Sequence, residues 1–89
     1  MNHRELAVLC AVNTASSRYR RKGHDYEATC AQITDVFNNE DDVQEGWPLT
    51  TLEVGATLRS MVNRREPLVE KIDSRRWHLT DAGVRVLNA

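Results

Sequence analysis

Apolar residues recur with a helical period along four stretches of this 89-residue chain, and they alternate with polar residues along a fifth. The first stretch covers residues 3 to 17, and Asn2 followed by Glu5 three residues later is a helix-capping signal. Its apolar positions cover much of the helix circumference: Leu6, Val8, Leu9, Cys10 and Val12. We therefore expect the first helix at the centre of the core, or partly covered by a second subunit.

The second helix is predicted from Tyr26 to about Asn38, because apolar residues there follow helical spacing and Asp25 can cap the helix. Gly23 in the preceding "SSRYRRKGHD" suits a turn. The following "NNEDDVQEG" is polar and acidic, which indicates a loop. Trp47, next to Pro48, is expected to cover the third helix or to belong to a partner surface.

The third helix is predicted over residues 51–65. Thr50 and Glu53 have the spacing of a capping box, in which each side chain accepts a hydrogen bond from the other residue's backbone amide. Pro67 ends the helix. The residues predicted to share its buried face are Val54, Leu58, Met61 and Val62.

Two short alternating segments, "LVEKI" and "RWHL", flank Asp73 and Ser74, and this pattern predicts a β-hairpin. Thr80 then caps a last helix that runs toward Ala89. The residues predicted to face the core are Ile72, Trp77 and Leu79 in the hairpin and Val84 and Leu87 in the helix. We expect Trp77 to pack rather than to stack on a base.

The order helix, helix, helix, hairpin, helix predicts an α+β, mainly α, fold. It fits a winged helix-turn-helix with a three-helix core, a β-hairpin wing and a short C-terminal helix. The length of 89 residues predicts one domain over residues 1–89. No apolar run approaches the roughly 20 residues of a membrane span. We expect a cytoplasmic protein, nucleoid-associated if it binds DNA.

Residues 49 to 87 resemble the recognition helix, wing and following helix of MarR-type transcriptional regulators. The similar pieces are "LV" at residues 68–69, "DSRR" at 73–76 and "LTDAG" at 79–83. The chain departs from that family at Glu66-Pro67, where a glycine is usual, and in the longer connection from residue 39 to 48. The resemblance implies double-stranded DNA as the partner, with the third helix in the major groove and the hairpin tip against the backbone or the minor groove.

Nine residues are the candidates for DNA contacts. Hydroxyl and guanidinium groups of the third helix can bond to base edges or phosphates, and those of the wing suit phosphate or a narrow minor groove. The candidates are Thr50, Thr51, Thr57, Arg59, Ser60 and Arg64 in the third helix and Lys71, Arg75 and Arg76 in the wing. Glu53 could accept from a cytosine amine, but capping is the simpler role. For the wing residues, the alternative to a DNA contact is a charged hairpin turn that is simply exposed to solvent.

A further basic cluster could add phosphate contacts: Arg18, Arg20, Arg21 and Lys22. The alternative is that these charges complement the dipole at the end of the first helix. The net charge is −1, and acidic residues gather between positions 40 and 45, so basic residues form local clusters rather than a basic coat.

No pattern in the sequence predicts catalysis or a cofactor. His24 and Cys30 are six positions apart without a metal-ligand spacing, and the two cysteines are expected to be free thiols. We therefore expect neither an enzyme nor a metal protein.

Two functions remain open. The first is sequence-specific binding of double-stranded DNA by a small transcriptional regulator, as a homodimer joined through the chain ends or the apolar first helix. The second is a winged-helix module for protein–protein contacts in a larger assembly, which the near-neutral charge and the acidic loop favour.

Overall fold

A computed structural model describes residues 2–18, 28–39, 48–73 and 75–89, and these contain four helices and a three-stranded antiparallel sheet. The fold is α+β and mainly helical, as predicted. The elements in chain order are α1 (His3–Arg18), β1 (Ala28–Thr29), α2 (Cys30–Asn39), α3 (Thr51–Val62), β2 (Val69–Lys71), β3 (Arg76–Leu79) and α4 (Asp81–Leu87).

The predicted hairpin is formed by β2 and β3, and a third strand completes the sheet in the order β1-β3-β2. Val69 pairs with Leu79, and Lys71 pairs with Trp77. On the other edge of β3, Ala28 of β1 pairs with Trp77. The sheet therefore joins the segment between α1 and α2 to the C-terminal hairpin.

The first helix lies at the centre of the core, as one of the two predictions for it required. Five of its residues are fully buried: Val8, Leu9, Ala11, Val12 and Ala15. They pack with apolar side chains of α2, α3 and the sheet. Its predicted apolar face is wrong at Leu6, which is 41% exposed. Most of the apolar surface of α1 is therefore used within the chain itself.

The second helix begins later than predicted. Ala28 and Thr29 are extended and pair with β3, so α2 starts at Cys30 and not at Tyr26. Thr29 caps it: its Oγ1 accepts from the Gln32 amide at 3.1 Å, and Gln32 Oε1 accepts from the Thr29 amide at 2.9 Å. Backbone pairing with β3 and this capping box together outweigh the local helical spacing.

Several parts of the sequence predictions concern residues outside the described ranges. They are the turns at Gly23 and Ser74, the cap at Asp25, the acidic segment from 40 to 45, Trp47, and the basic residues Arg20, Arg21 and Lys22.

The third helix ends at Val62, three residues before its predicted end. The amide of Asn63 still donates to the carbonyl of Arg59, at 3.1 Å. The chain then turns so that the amide of Leu68 reaches the carbonyl of Met61, also at 3.1 Å, and the Leu68 side chain enters the core. The helix therefore ends before Pro67, at the turn that brings Leu68 into the core.

Two residues predicted to face the core are exposed. Ile72 lies three positions after the buried Val69, and strand residues three apart point to opposite faces, so Ile72 is 41% exposed. In α4 the buried position is Gly83, with Val86 and Leu87 packed against the core, and this leaves Val84 43% exposed. Trp77 is 4% exposed and packs in the core, as predicted.

Among the described residues no helix has both the length and the apolar character needed to cross a membrane. Cys10 and Cys30 are free thiols, and both are half-buried, although their apolar helix positions predict buried thiols.

Candidate nucleic-acid interface

One face of α3 is directed to solvent along its whole length. Val54, Leu58 and Met61 anchor the opposite face in the core. Successive turns of the exposed face contribute one residue each, and together they form what we call the α3 stripe: Leu52, Ala56, Arg59 and Asn63. Because the first of them is the second residue of the helix, the stripe begins at the helix N-terminus.

The capping box fixes where the stripe starts. Thr50 Oγ1 accepts from the Glu53 amide at 3.1 Å, and Glu53 Oε1 accepts from the Thr50 amide at 3.0 Å and from the Thr50 hydroxyl at 3.1 Å. These bonds with the amide and hydroxyl of Thr50 lower the pKa of Glu53. Capping is therefore the role shown for both residues.

Two more of the predicted hydroxyl contacts are engaged inside the protein. Thr57 is buried, and its hydroxyl donates to the carbonyl of Glu53 at 2.9 Å. The Ser60 hydroxyl lies 2.6 Å from the carbonyl of Thr57 and 2.9 Å from Glu5 Oε2. Thr51 differs from both: it is exposed, and its side chain has no hydrogen-bond partner in the described part of the chain.

Glu5 joins the start of α1 to the end of α3. Besides the Ser60 hydroxyl, it accepts from the Asn2 amide at 3.2 Å and lies 3.8 Å from Arg64 Nη1. The Asn2 amide and then the Ser60 hydroxyl lower the pKa of Glu5. Arg64, predicted to be a helical base contact, is instead beyond the end of α3 and paired with Glu5.

Arg59 remains as the cation of the α3 stripe. It is exposed, and within the described ranges no carboxylate pairs with it. A Cβ added at Gly55 would lie 3.4 Å from Arg59 Nη1, which means that the guanidinium lies back along the helix, over the preceding turn. The Arg59 guanidinium is thus held beside Gly55, one turn back along α3.

The hairpin tip is organised by Asp73. Its Oδ1 accepts from the amides of Arg75 at 2.8 Å and Arg76 at 3.0 Å, and its Oδ2 accepts from Arg76 Nη1 at 3.1 Å. The Arg75 amide is the largest of the influences that lower the pKa of Asp73. The predicted pair of arginines therefore divides: Arg76 is neutralised by Asp73, whereas Arg75 has no acidic partner among the described residues.

Lys71 is the third predicted wing residue, and it lies over the core tryptophan. Its Nζ is 5.4 Å from the centre of the Trp77 ring, directly across the two strands. The methylene stem of Lys71 therefore contributes to the packing of the hairpin, while the ammonium group stays exposed.

Residues 48 to 89 hold seven Lys and Arg against five Asp and Glu. The acidic residues are used locally: Glu53 and Asp73 as described, Glu70 with His78 at 3.0 Å, and Glu66 with Arg85 at 2.9 Å. Asp81 lies in the first turn of α4. Within the described part of the chain, the basic residues of this segment without a carboxylate partner are Arg59, Arg65, Lys71 and Arg75.

The basic cluster after α1 is mostly outside the described ranges. Arg18 is the last residue of α1, where its charge complements the helix dipole. Arg20, Arg21 and Lys22 lie in the segment that the structure does not describe.

Sequence reasoning missed two features of this surface. Leu52 and Ala56 are on the α3 stripe, although only polar residues were considered as base contacts. Arg4, at the start of α1, is close enough to Glu53 to contribute to its lowered pKa, after the larger influence of the Thr50 amide. The exposed positions left by the predicted buried face would have identified Leu52.

The described residues contain no group of three or more His, Cys, Asp or Glu side chains arranged to hold a metal ion. Comparison of the chain with protein-family models, curated proteins and solved structures finds no match.

Proposed function

We propose that this protein binds double-stranded DNA as a winged helix-turn-helix and acts as a small transcriptional regulator in the cytoplasm, without catalytic activity. In this proposal α2 and α3 form the helix-turn-helix, α3 enters the major groove, and the β2–β3 hairpin is the wing. The element order, with β1 between α1 and α2 and the sheet order β1-β3-β2, supports the assignment of helices and wing.

The observation that carries the proposal is a pair of arginines without a carboxylate partner among the described residues, Arg59 on the α3 stripe and Arg75 at the hairpin tip. Glu53 is engaged in capping and Asp73 in the turn, so within the described part of the chain both positive charges are available to an anionic partner. Arginine suits both guanine edges and phosphates because its planar guanidinium donates two parallel hydrogen bonds. Two such groups on separate exposed elements suit a duplex better than a small ligand.

A protein partner is the second candidate function. The net charge of −1 and the exposed Leu52 favour it, because apolar exposure is common at protein interfaces.

A module of this size makes a small DNA interface, so a homodimer is the expected DNA-binding form.

The test is a titration of isotope-labelled protein with a mixed-sequence duplex at low salt. The DNA proposal expects amide shifts in residues 51–63 and 71–76 and a steep loss of affinity as salt rises. Shifts confined to other residues, or none, would contradict it.

Three matched arginine variants locate the contact. R59A and R75A are each expected to weaken DNA binding. Each should also reduce the slope of log affinity against log salt concentration by about one. R85A removes the same charge from α4, where Arg85 is paired with Glu66, and is expected to change binding little. Equal effects of all three variants would show that only net charge matters.

A further inference from the structure

We infer that Leu52 is a specificity residue that contacts the 5-methyl group of a thymine, with Arg59 contacting a guanine further along the same groove. This inference rests on the proposed DNA-binding function and names the base that the start of α3 prefers. It follows from the position of one apolar side chain that the core does not use.

Leu52 is 79% exposed, whereas the other exposed large apolar residues of the described chain are 41% to 43% exposed. The capping box at Thr50 fixes the start of α3, and Val54 and Leu58 fix its buried side. Leu52 therefore cannot turn toward the core without breaking the cap. It lies on the α3 stripe, beside Ala56 and two turns before Arg59.

The major groove offers an apolar side chain one apolar group, the thymine methyl, and offers arginine the O6 and N7 atoms of guanine. The N-terminal residues of a recognition helix are the ones that reach base edges. Leu52 is the second residue of α3 and is apolar, so its contact is most favourable with thymine, the base that has a methyl group. Ala56, one turn later, leaves room for the approach.

The spacing of the two residues gives the expected spacing of the two bases. Leu52 and Arg59 are seven positions apart, which is roughly 10 Å along a helix. The Arg59 guanidinium, however, lies back beside Gly55, which is three positions after Leu52 and roughly 4.5 Å along the helix. Base pairs are about 3.4 Å apart along the duplex axis, so a helix lying along the groove places the guanine about one to three base pairs from the thymine, with the present Arg59 position at the near end of that range.

The charges near Leu52 favour DNA over a protein as the partner that Leu52 contacts. The stripe that carries Leu52 also carries Arg59, which has no carboxylate partner among the described residues, and Arg4 of α1 lies near Glu53 in the first turn of α3. An apolar side chain on the same stripe as such a cation complements a methyl group set among phosphates.

The test begins with a duplex selected by the wild-type protein from a randomised pool. Each thymine of that duplex is then replaced by deoxyuridine, which removes only the methyl group. At one position the replacement is expected to weaken wild-type binding about fourfold, the effect of one buried methyl group. L52A is expected to bind the original duplex about as weakly and to make no distinction between thymine and deoxyuridine there.

Two variants are matched controls. L52M keeps an apolar side chain and is expected to retain the preference. R59A is expected to lose preference for a guanine about one to three base pairs away and to keep the thymine effect. An L52A protein that still distinguishes deoxyuridine as wild type does would overturn the inference while leaving DNA binding intact. Selection of no duplex at all would contradict the proposed function itself, and specific capture of a protein through Leu52 would favour the alternative.

Discussion

Gly83 lies against the backbone of Leu68 so closely that a Cβ on Gly83 would be 2.2 Å from the Leu68 carbonyl oxygen. The same carbonyl accepts a hydrogen bond from the amide of Thr80, at 3.2 Å. The first turn of α4 therefore rests directly on the entry to β2. This contact explains the glycine in "LTDAG": the position has room for a hydrogen atom only.

G83A is therefore expected to lower the free energy of unfolding by about 3 kcal/mol, because backbone atoms must shift to admit the methyl group. Urea denaturation measures it. G55A is the matched control: its new Cβ would meet only Arg59 Nη1 at 3.4 Å and Cys30 Sγ at 3.8 Å. That variant should be as stable as wild type or more stable by up to about 1 kcal/mol. Similar losses in the two variants would contradict the contact described.

T50A is expected to destabilise the free protein by about 1 kcal/mol, because the amide of Glu53 loses its capping partner. For a domain of this size the melting temperature should fall by about 4–8 °C. T50S keeps the hydroxyl and should stay close to wild type. A T50A protein of unchanged stability would mean that the capping box contributes nothing, and that Thr50 needs another role.

E5Q is expected to make stability less dependent on pH. The folded pKa of Glu5 is below its ordinary value of 4.5, so its contribution is present above that pH and is lost as the pH falls through the folded value. At pH 7 the variant should lose about 1.5–3 kcal/mol, the range for hydrogen bonds to a charged group. The difference should be smaller at pH 3 than at pH 7, because wild-type Glu5 takes up a proton as the pH falls through its folded pKa.

Denaturation of E5Q, S60A and the double variant at both pH values separates the Glu5–Ser60 bond from general acid effects. A coupling between the two residues is expected at pH 7 because they are bonded at 2.9 Å. E66Q is the control, since Glu66 forms an exposed pair with Arg85 and should change stability by less than about 1 kcal/mol. Additive effects of E5Q and S60A would argue against a direct bond.

Lys71 has two separable contributions, and two substitutions distinguish them. K71A removes both the stem and the charge over Trp77 and should cost about 0.5–1 kcal/mol. K71M keeps the stem and should be closer to wild type in stability, yet weaker in DNA binding. If K71M binds DNA as wild type does, Lys71 serves the hairpin alone.

The start of α1, the start of α3 and the start of α4 could all be predicted from sequence. Each depends on a cap side chain that accepts a hydrogen bond from the backbone amide three residues later, as Thr50 accepts from Glu53, so the signal is local. Thr29 and Gln32 have the same spacing, so the start of α2 at Cys30 was also marked in the sequence but was overlooked. The strand pairing of the two β1 residues has no such local signal. They are extended because β3 lies beside them, and β3 is distant in sequence, so the prediction of helix there was wrong.

For the candidate interface, the sequence gives the residue types but not the direction in which each side chain points. Thr57 and Ser60 have the chemistry of base contacts, but their hydroxyls bond to Glu53 and Glu5 within the protein. Likewise, Arg75 and Arg76 are equivalent in the sequence, but in the structure Asp73 accepts a hydrogen bond from the guanidinium of Arg76 only. Such choices depend on tertiary neighbours, which a single sequence does not show.

The pairing of Ala28 with Trp77 also bears on how the protein is made. A ribosome that has released α1, β1 and α2 has not yet synthesised β3, so the edge of β1 has no partner during most of translation. Closing so long a loop is slow relative to forming the helices. The nascent chain should therefore remain open to chaperones and proteases until residue 79 has left the exit tunnel, and stable folding should follow as one late step.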